Sequence, residues 1–501
     1  MANHLFDRLI EPGVSDAPAL LTGRRDYSYA ELKAETARWA SALVSLGVQP
    51  GDRVAVQVEK SAANLILYLA TIRAGAVFLP LNTGYTLNEL AFFIADAEPA
   101  LIVCDPSARD GVASMAGTAR VETLDGEGEG TLAALASRQA ARFETVARGG
   151  GDLAAICYTS GTTGKSKGAM LTHGNLASNA RTLKDLWRFT ADDVLIHALP
   201  IFHVHGLFVA TNVLMMAGAA MILQPRFDAG AVVEAMPRAT SLMGVPTFYT
   251  RLLAHPDFTR EAAKRMRLFV SGSAPLLAET HRAFFERTGQ AILERYGMTE
   301  TGMMTSNPYD GERRAGTVGF PLPGVEVRIA AAAGEIGGIE VRGPGVFSGY
   351  WRNREKTAAA FRADGWFVTG DLGVIEEDGY VSIVGRETDL IITGGLNVYP
   401  KEVEARIDAI PGVVESAVIG LSHADLGEAV TAIVVADGTL TETAIIEALG
   451  ATLARFKQPR RVILAHELPR NAMGKVQKAA LRARHAGLYA AGLNGASKAS
   501  T

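Results

Sequence analysis

Cysteine is nearly missing from this 501-residue chain, which holds only Cys104 and Cys157. Two thiols cannot build a disulfide framework or a cysteine-rich zinc site, and a reducing, cytoplasmic setting is the simpler expectation. A basic excess is also lacking. Against 49 Lys+Arg stand 53 Asp+Glu, a formal net charge of −4, which argues against a dedicated nucleic-acid binder. The first residues place Asp7, Arg8 and Glu11 where a signal peptide needs an apolar run, so none is expected. The final NGASKAST carries no lipidation motif and no peroxisomal tripeptide, and residues 488–501 read as a frayed tail. One uncharged run of 18 residues, Gly206 to Leu223, reaches the edge of membrane-spanning length. It contains Thr211, Asn212 and Gly218 and breaks at Gly218 into strand-like AAMILQ, so it reads as a buried helix followed by a buried strand. No membrane partner is expected, and no repeat of fixed period occurs.

Glycine is plentiful, at 52 residues. Strand-like runs alternate with helix-like ones: RVAVQVE (53–59), ALIVCD (100–105), LAAICYT (153–159), AAMILQ (219–224), SLMGVP (241–246) and LFVSGS (268–273), with helical patterns at 61–75 and 278–289. Such alternation predicts an α/β architecture with largely parallel sheets. Residues 326–344 and 373–386 read as hairpins, the second turning at Asp378-Gly379. Beyond Arg386–Leu390 about 100 residues of β-α-β-β-α-β character suggest a small domain. Between Ala451 and Ala486 it carries nine Lys/Arg against the single acid Glu467, a local excess of +8. That stretch is either a solvated face or an attraction for an anionic ligand.

The sharpest local signal is Tyr158-Thr-Ser-Gly-Thr-Thr-Gly-Lys-Ser-Lys-Gly168. A buried strand runs into glycines that let backbone N–H groups converge on phosphate oxygens, with hydroxyls and two lysines adding donors and charge. A P-loop kinase or NTPase is the rival. Gly164-Lys165-Ser166 match the end of its motif, but Thr159 stands where the motif needs its first glycine.

Four further motifs follow in order: Tyr296-Gly-Met-Thr-Glu300, Gly365-Trp-Phe-Val-Thr-Gly-Asp371, Gly385-Arg386 and Pro469-Arg-Asn-Ala-Met-Gly-Lys475. Together with the glycine-rich loop they resemble the adenylate-forming superfamily of acyl-CoA synthetases, luciferases and peptide-synthetase adenylation domains, over residues 20–485. The resemblance implies an α/β fold with a large N-terminal domain (1–386) of two α/β sheet subdomains and a small β-barrel-like subdomain. A hinge (387–389) and a mobile, small α+β C-terminal domain (390–487) follow. It implies ATP, Mg²⁺ and coenzyme A as partners: a carboxylate attacks the α-phosphate of ATP, and a thiol then displaces AMP.

The roles it implies fall on residues of this chain. Thr159, Ser160, Gly161, Thr162, Thr163, Gly164, Lys165 and Lys167 would hold the β- and γ-phosphates. Glu300 would ligate Mg²⁺, and Thr299 would touch the α-phosphate. Asp371 would bind the ribose hydroxyls with Arg386 beside it. Tyr296, Gly297, Met298 and the backbone around Ser273–Ala274 and Glu294–Arg295 would line the adenine slot. Lys475 would bridge carboxylate and α-phosphate, and Gly394 and Gly395 would face the pantetheine arm of CoA. Thr388 stands where the family usually places a hinge Asp or Lys, which leaves the hinge residue open. The stretch 330–338 is shorter than in many relatives. Acylation of the lysine matching Lys475 would silence the enzyme, which implies a regulatory acyltransferase partner.

The acid is read from His197-Ala-Leu-Pro-Ile-Phe-His-Val-His-Gly206, Gly244–Arg251, Ser271–Pro275, Leu81–Thr83, Tyr85–Leu90 and Glu294–Thr301. These segments resemble the malonate–CoA ligase branch. His203 would assist thioester formation. Arg251, with Ser273 and His205, would hold the second carboxylate of malonate, because an enclosed carboxylate without a partner costs several kcal/mol. Methylmalonate remains open as a substrate, as does another short-chain or aryl acid. No cysteine or nearby carboxylate completes a metal site around His203 and His205.

Overall fold

The computed structural model describes residues 2–159, 166–438, 440–450, 452–471 and 474–489. The chain divides into two compact units. The first comprises Met1–Val327 and Val341–Phe367, the second Arg328–Glu340 and Val368–Thr501.

Two sheets build the first unit. The six-stranded one runs in the order Arg120–Thr123, Leu101–Cys104, Arg53–Gln57, Val77–Pro80, Leu153–Thr159, Lys167–Thr172. All neighbours pair in parallel except the last two, which form an antiparallel pair with Thr159 opposite Lys167. The strand Leu153–Thr159 is buried along its length and emerges only at Tyr158–Thr159. Sheet formation follows composition: these strands are short apolar runs without alternation, the pattern of strands covered on both faces. The nine-stranded sheet has a parallel centre, Ala220–Leu223, Val194–His197, Ser241–Gly244, Leu268–Ser271 and Leu293–Met298, with antiparallel strands at its edges. In such sheets ligands bind beyond the carboxyl ends of the strands. His203, His205 and Ser273 all lie there.

The helices begin and end where their residues dictate. Ser61 caps Ala62–Arg73, its side chain accepting from the Asn64 N–H. Helix Ala278–Thr288 stops at Gly289, whose φ of +77° is the left-handed conformation that closes helices. The uncharged run is more finely divided than its sequence suggests. His205–Thr211 is a π-helical turn, Asn212–Met216 an α-helix, and Ala220–Leu223 a strand entered through Gly218 at φ +71°. Among the described residues no helix is long and apolar enough to cross a membrane.

The second unit holds the four-stranded sheet Glu326–Ala330, Gly337–Arg342, Phe367–Ile375, Val381–Arg386 for most of its length. Within the unit, Lys401 Nζ donates to the Ile383 carbonyl at 2.6 Å, tying helix Pro400–Ile407 to strand Val381–Arg386. Residues Val368–Arg386 thus cluster with the segment that follows them. Glu387–Asp389, the expected hinge containing Thr388, form a 3₁₀ turn. Beyond it a long hairpin, Val413–His423 with Gly427–Ala436, carries Arg461–Ala465 in parallel and helices Pro400–Ile407 and Glu442–Gly450 over its apolar face. The opening segment, expected as one strand, is a small hairpin, Ile391–Thr393 with Leu396–Val398. Its turn residues Gly394 and Gly395 have φ of +58° and +80°, which only glycine adopts freely.

Candidate active site

In the first unit two groups of side chains stand out. The first surrounds Glu300, which is only 5% exposed. The strands Leu293–Met298 and Gly302–Ser306 form an antiparallel pair, and their turn carries Thr299 and Glu300. Asn179 holds that turn in place, donating to the Met303 carbonyl and accepting from its N–H. Thr159 Oγ1 donates to Glu300 Oε1 at 3.2 Å, and Tyr350 Oη donates to the same oxygen at 3.1 Å. Lys167 places its ammonium 4.5 Å from the centre of the Tyr350 ring. Thr159, Lys167 and Glu300 are thus assembled around a tyrosine that sequence reasoning did not single out. Tyr350 sits in GYWRN directly after a glycine, and nothing in that local pattern marks it. Ser160, Gly161, Thr162, Thr163, Gly164 and Lys165 lie outside the described residues.

A single buried carboxylate beside a threonine hydroxyl suits Mg²⁺, which keeps few protein ligands and takes others from substrate phosphates. Among the described residues no group of three His, Cys, Asp or Glu could hold a metal unaided, so a cation here would depend on the phosphates that accompany it.

The second group lies at the carboxyl ends of the large sheet. Arg295 is 3% exposed, and its Nε and Nη2 have no hydrogen-bond partner among the described residues. Burial pulls its pKa below the usual range, to about 9, so the guanidinium stays cationic at neutral pH. Ser273, at φ +70°, brings its hydroxyl to 3.2 Å from His205 Nδ1. His205 Nε2 is buried and has no partner among the described residues. His203 Nδ1 accepts from the His205 N–H at 3.2 Å. Burial, reinforced by the charge of Arg295, pulls His203 down to about 4 and holds His205 well below its usual value. Both imidazoles are therefore neutral at pH 7, and the positive charge comes from the guanidinium. A buried cation with unmet donors, beside a hydroxyl and an imidazole, is a receptor for an anion.

Arg251 is the residue expected in that role. It is exposed on the last turn of helix Pro246–Ala254. The helix turns Phe248, Tyr249 and Leu252 inward, which leaves Arg251 on the outer face. Arg295, expected to line the adenine slot with its backbone, also presents a buried guanidinium. Glu294 also acts by its side chain. Its carboxylate accepts from the N–H groups of Leu276 and Gly316 at 3.3 and 3.4 Å, holding the segment that follows Ser273–Ala274. Tyr296, Gly297, Met298 and Thr299 are half-buried along the same strand and turn.

In the second unit Asp371 and Arg386 are directly paired across adjacent strands, with Arg386 Nε 2.7 Å from Asp371 Oδ1. Lys475 closes a narrow loop. Its N–H donates to Asn471 Oδ1 at 3.0 Å, and Gly474 before it has φ +73°. Its side chain reaches solvent, yet surrounding atoms desolvate the ammonium and lower its pKa, with Arg386 adding repulsion and Asp371 and Asp389 opposing it. The basic stretch is largely neutralised inside the unit. Lys457 pairs with Glu402, Arg461 with Glu442, Arg470 with Glu415, Lys478 with Glu404 and Arg482 with Asp389. The +8 excess is mostly the basic half of local ion pairs whose acids lie elsewhere in the sequence.

Residues 11–351 match the family model of the AMP-binding enzymes, and residues 402–475 match the C-terminal domain of AMP-binding enzymes. The chain belongs to the AMP-binding enzyme family, which sets the P-loop alternative aside. It is similar to ATP-bound MatB from Rhodopseudomonas palustris at 58% identity, covering 98% of this chain and 100% of that one with a TM-score of 0.96. It is 36% identical to a feruloyl-CoA synthase of an Amycolatopsis species over 93% of this chain and 96% of the relative. It is 34% identical to a malonate–CoA ligase of Arabidopsis thaliana, over 93% and 86% of the two chains.

Proposed function

We propose that the protein is an AMP-forming acid–CoA ligase whose acid is malonate. One malonate carboxylate oxygen attacks the α-phosphorus of ATP, and the bond from that phosphorus to the bridging oxygen breaks, releasing pyrophosphate. The CoA sulfur then attacks the malonyl carbonyl carbon and loses its proton, and the carbon–oxygen bond to AMP breaks. The buried guanidinium of Arg295, beside Ser273 and His205, carries this reading. Malonate brings a second carboxylate that never reacts, and these three groups answer it. An alkyl or aryl acid would leave Arg295 charged and unpaired, which disfavours such substrates.

Other residues of both units take the remaining roles of the reaction. Glu300, with Thr159 beside it, would hold Mg²⁺ arriving with ATP, which supplies positive charge at the phosphates. Lys167 adds a cation at the base of the phosphate loop. Asp371, held by Arg386, accepts from the ribose hydroxyls, and Lys475 supplies charge for adenylation. Neutral His203 orders the turn that carries His205 and is too weakly basic to be the main acceptor of the thiol proton. Gly394 and Gly395 offer a thin backbone surface to CoA. Acylation of Lys475 by a lysine acyltransferase would remove its charge and block the first step more than the second. A reducing, cytoplasmic location suits Cys104 and Cys157, both free and buried.

Product analysis tests the substrate. AMP and pyrophosphate should form with malonate, ATP, Mg²⁺ and CoA, and far more slowly with acetate, butyrate or ferulate. Equal turnover of ferulate and malonate would overturn the assignment.

A further inference from the structure

Lys60 lies at the end of the first unit's strand-to-helix junction, next to the cap Ser61, and is 5% exposed. No carboxylate pairs with it among the described residues. Its Nζ instead lies 2.6 Å from the His197 carbonyl, 2.8 Å from the Leu199 carbonyl and 2.9 Å from His197 Nδ1. Three acceptors use the three hydrogens of an ammonium. A lysine donating to Nδ1 fixes the histidine proton on Nε2, which lies 3.0 Å from the Gly206 carbonyl and 3.1 Å from Thr211 Oγ1.

The linkage grips one turn of chain at both ends. Lys60 holds residues 197 and 199 directly and residue 206 through the His197 ring. Between them the chain folds back so closely that a β-carbon on Gly206 would sit 2.0 Å from the Pro200 carbonyl oxygen. The turn carries His203 and enters the π-helical segment His205–Thr211, a geometry concentrated at functional sites. His205 is the residue that meets Ser273.

We propose that Lys60 is a positioning residue for the acid pocket: through His197 it sets the 199–206 turn and so the placement of His205 and His203 against Ser273 and Arg295. The inference rests on the acid-pocket reading above, while concerning residues distant from the substrate. Burying a lysine without a carboxylate is costly unless every donor is met, and here every acceptor that meets it lies on His197 or Leu199, where the chain enters this turn.

The full-length enzyme tests it with Lys60→Met, which keeps length and removes the donors, and with His197→Gln, which leaves the lysine its two carbonyl acceptors. In each, the malonate KM should rise roughly ten- to hundredfold, the scale of a misplaced binding group, while the KM for ATP stays within about twofold. His205→Ala should cost much less in the Lys60→Met background than in wild type. An unchanged malonate KM, an equal loss toward malonate, ATP and CoA, or strict additivity with His205→Ala would overturn the proposal. If Lys60→Met does not fold, His197→Gln decides by the same measures. If wild type prefers another acid, the malonate assignment fails, and the same comparison with that acid still decides the role of Lys60. Wild type without acid-dependent turnover would end both.

Discussion

A β-carbon on Gly272 would lie 2.3 Å from Cζ of Arg295. The backbone of one strand end and the guanidinium of the next strand are in direct contact, and the glycine is what admits the arginine. Gly272 does not have a positive φ, so Gly272→Ala changes the space without straining the backbone. Overpacking of this kind costs about 1–3 kcal/mol and is relieved only by moving Arg295. The expected result is a raised malonate KM with the ATP KM unchanged, measured by steady-state kinetics on each substrate.

Arg295 and Arg251 should separate cleanly. Arg295→Met removes the buried cation and should lower kcat/KM for malonate by about 2–5 kcal/mol of transition-state stabilisation, at least roughly thirtyfold. It should also improve the relative rate with butyrate. Arg251→Ala removes an exposed side chain and should leave malonate kinetics within about twofold. Parallel assays of both variants with both acids check the pair.

Tyr350→Phe deletes the hydroxyl that donates to Glu300 and keeps the ring under Lys167. A hydrogen bond to a charged group contributes about 1.5–3 kcal/mol, so the apparent Mg²⁺ requirement of adenylation should rise by roughly ten- to hundredfold. Titrating Mg²⁺ at fixed ATP in a pyrophosphate-release assay reads this directly. An unchanged Mg²⁺ titration would detach Tyr350 from the role of Glu300.

Acid sensitivity should trace in part to His173. It is fully buried at the start of helix His173–Leu186, with neither ring nitrogen hydrogen-bonded among the described residues. Burial lowers its pKa from 6.5 to about 4. Between those values the unfolded chain binds the proton and the folded chain does not. The stability from keeping the ring neutral is therefore complete above about pH 6.5 and is lost as pH falls toward 4, up to roughly 3 kcal/mol. His173→Phe should lose less stability than wild type between pH 7 and pH 5, as followed by urea unfolding at each pH.

Much of this molecule was legible because local rules and tertiary demands agree. Ser61 and Gly289 cap helices where their types predict, and the apolar runs ending at Thr159 and Ser271 are strands. The choice between Arg251 and Arg295 was not legible in the same way. Both arginines lie in informative motifs, and only packing shows that one rides the outer face of a helix while the other is enclosed. A signal was present: Glu294 and Arg295 follow apolar Ile292-Leu293 at a strand of the large sheet, where charged residues need a reason. The pairing of the basic stretch was not legible for a related reason. Its partners Glu402, Glu404, Glu415, Glu442 and Asp389 are distant in sequence, and local charge counting cannot see them. The π-helical turn at His205–Thr211 was hidden too, because its composition is that of an ordinary buried helix.

Ser273 holds a left-handed backbone, a conformation in which glycine would rest with less strain, by about 1 kcal/mol or more. Selection for heat tolerance alone would therefore push this position toward glycine, and each such step would remove the hydroxyl that faces His205. On the malonate reading proposed above, thermal robustness and discrimination between acids would be set against each other at one residue. A population of variants sorted first for one property and then for the other should diverge there before it diverges in the surrounding core.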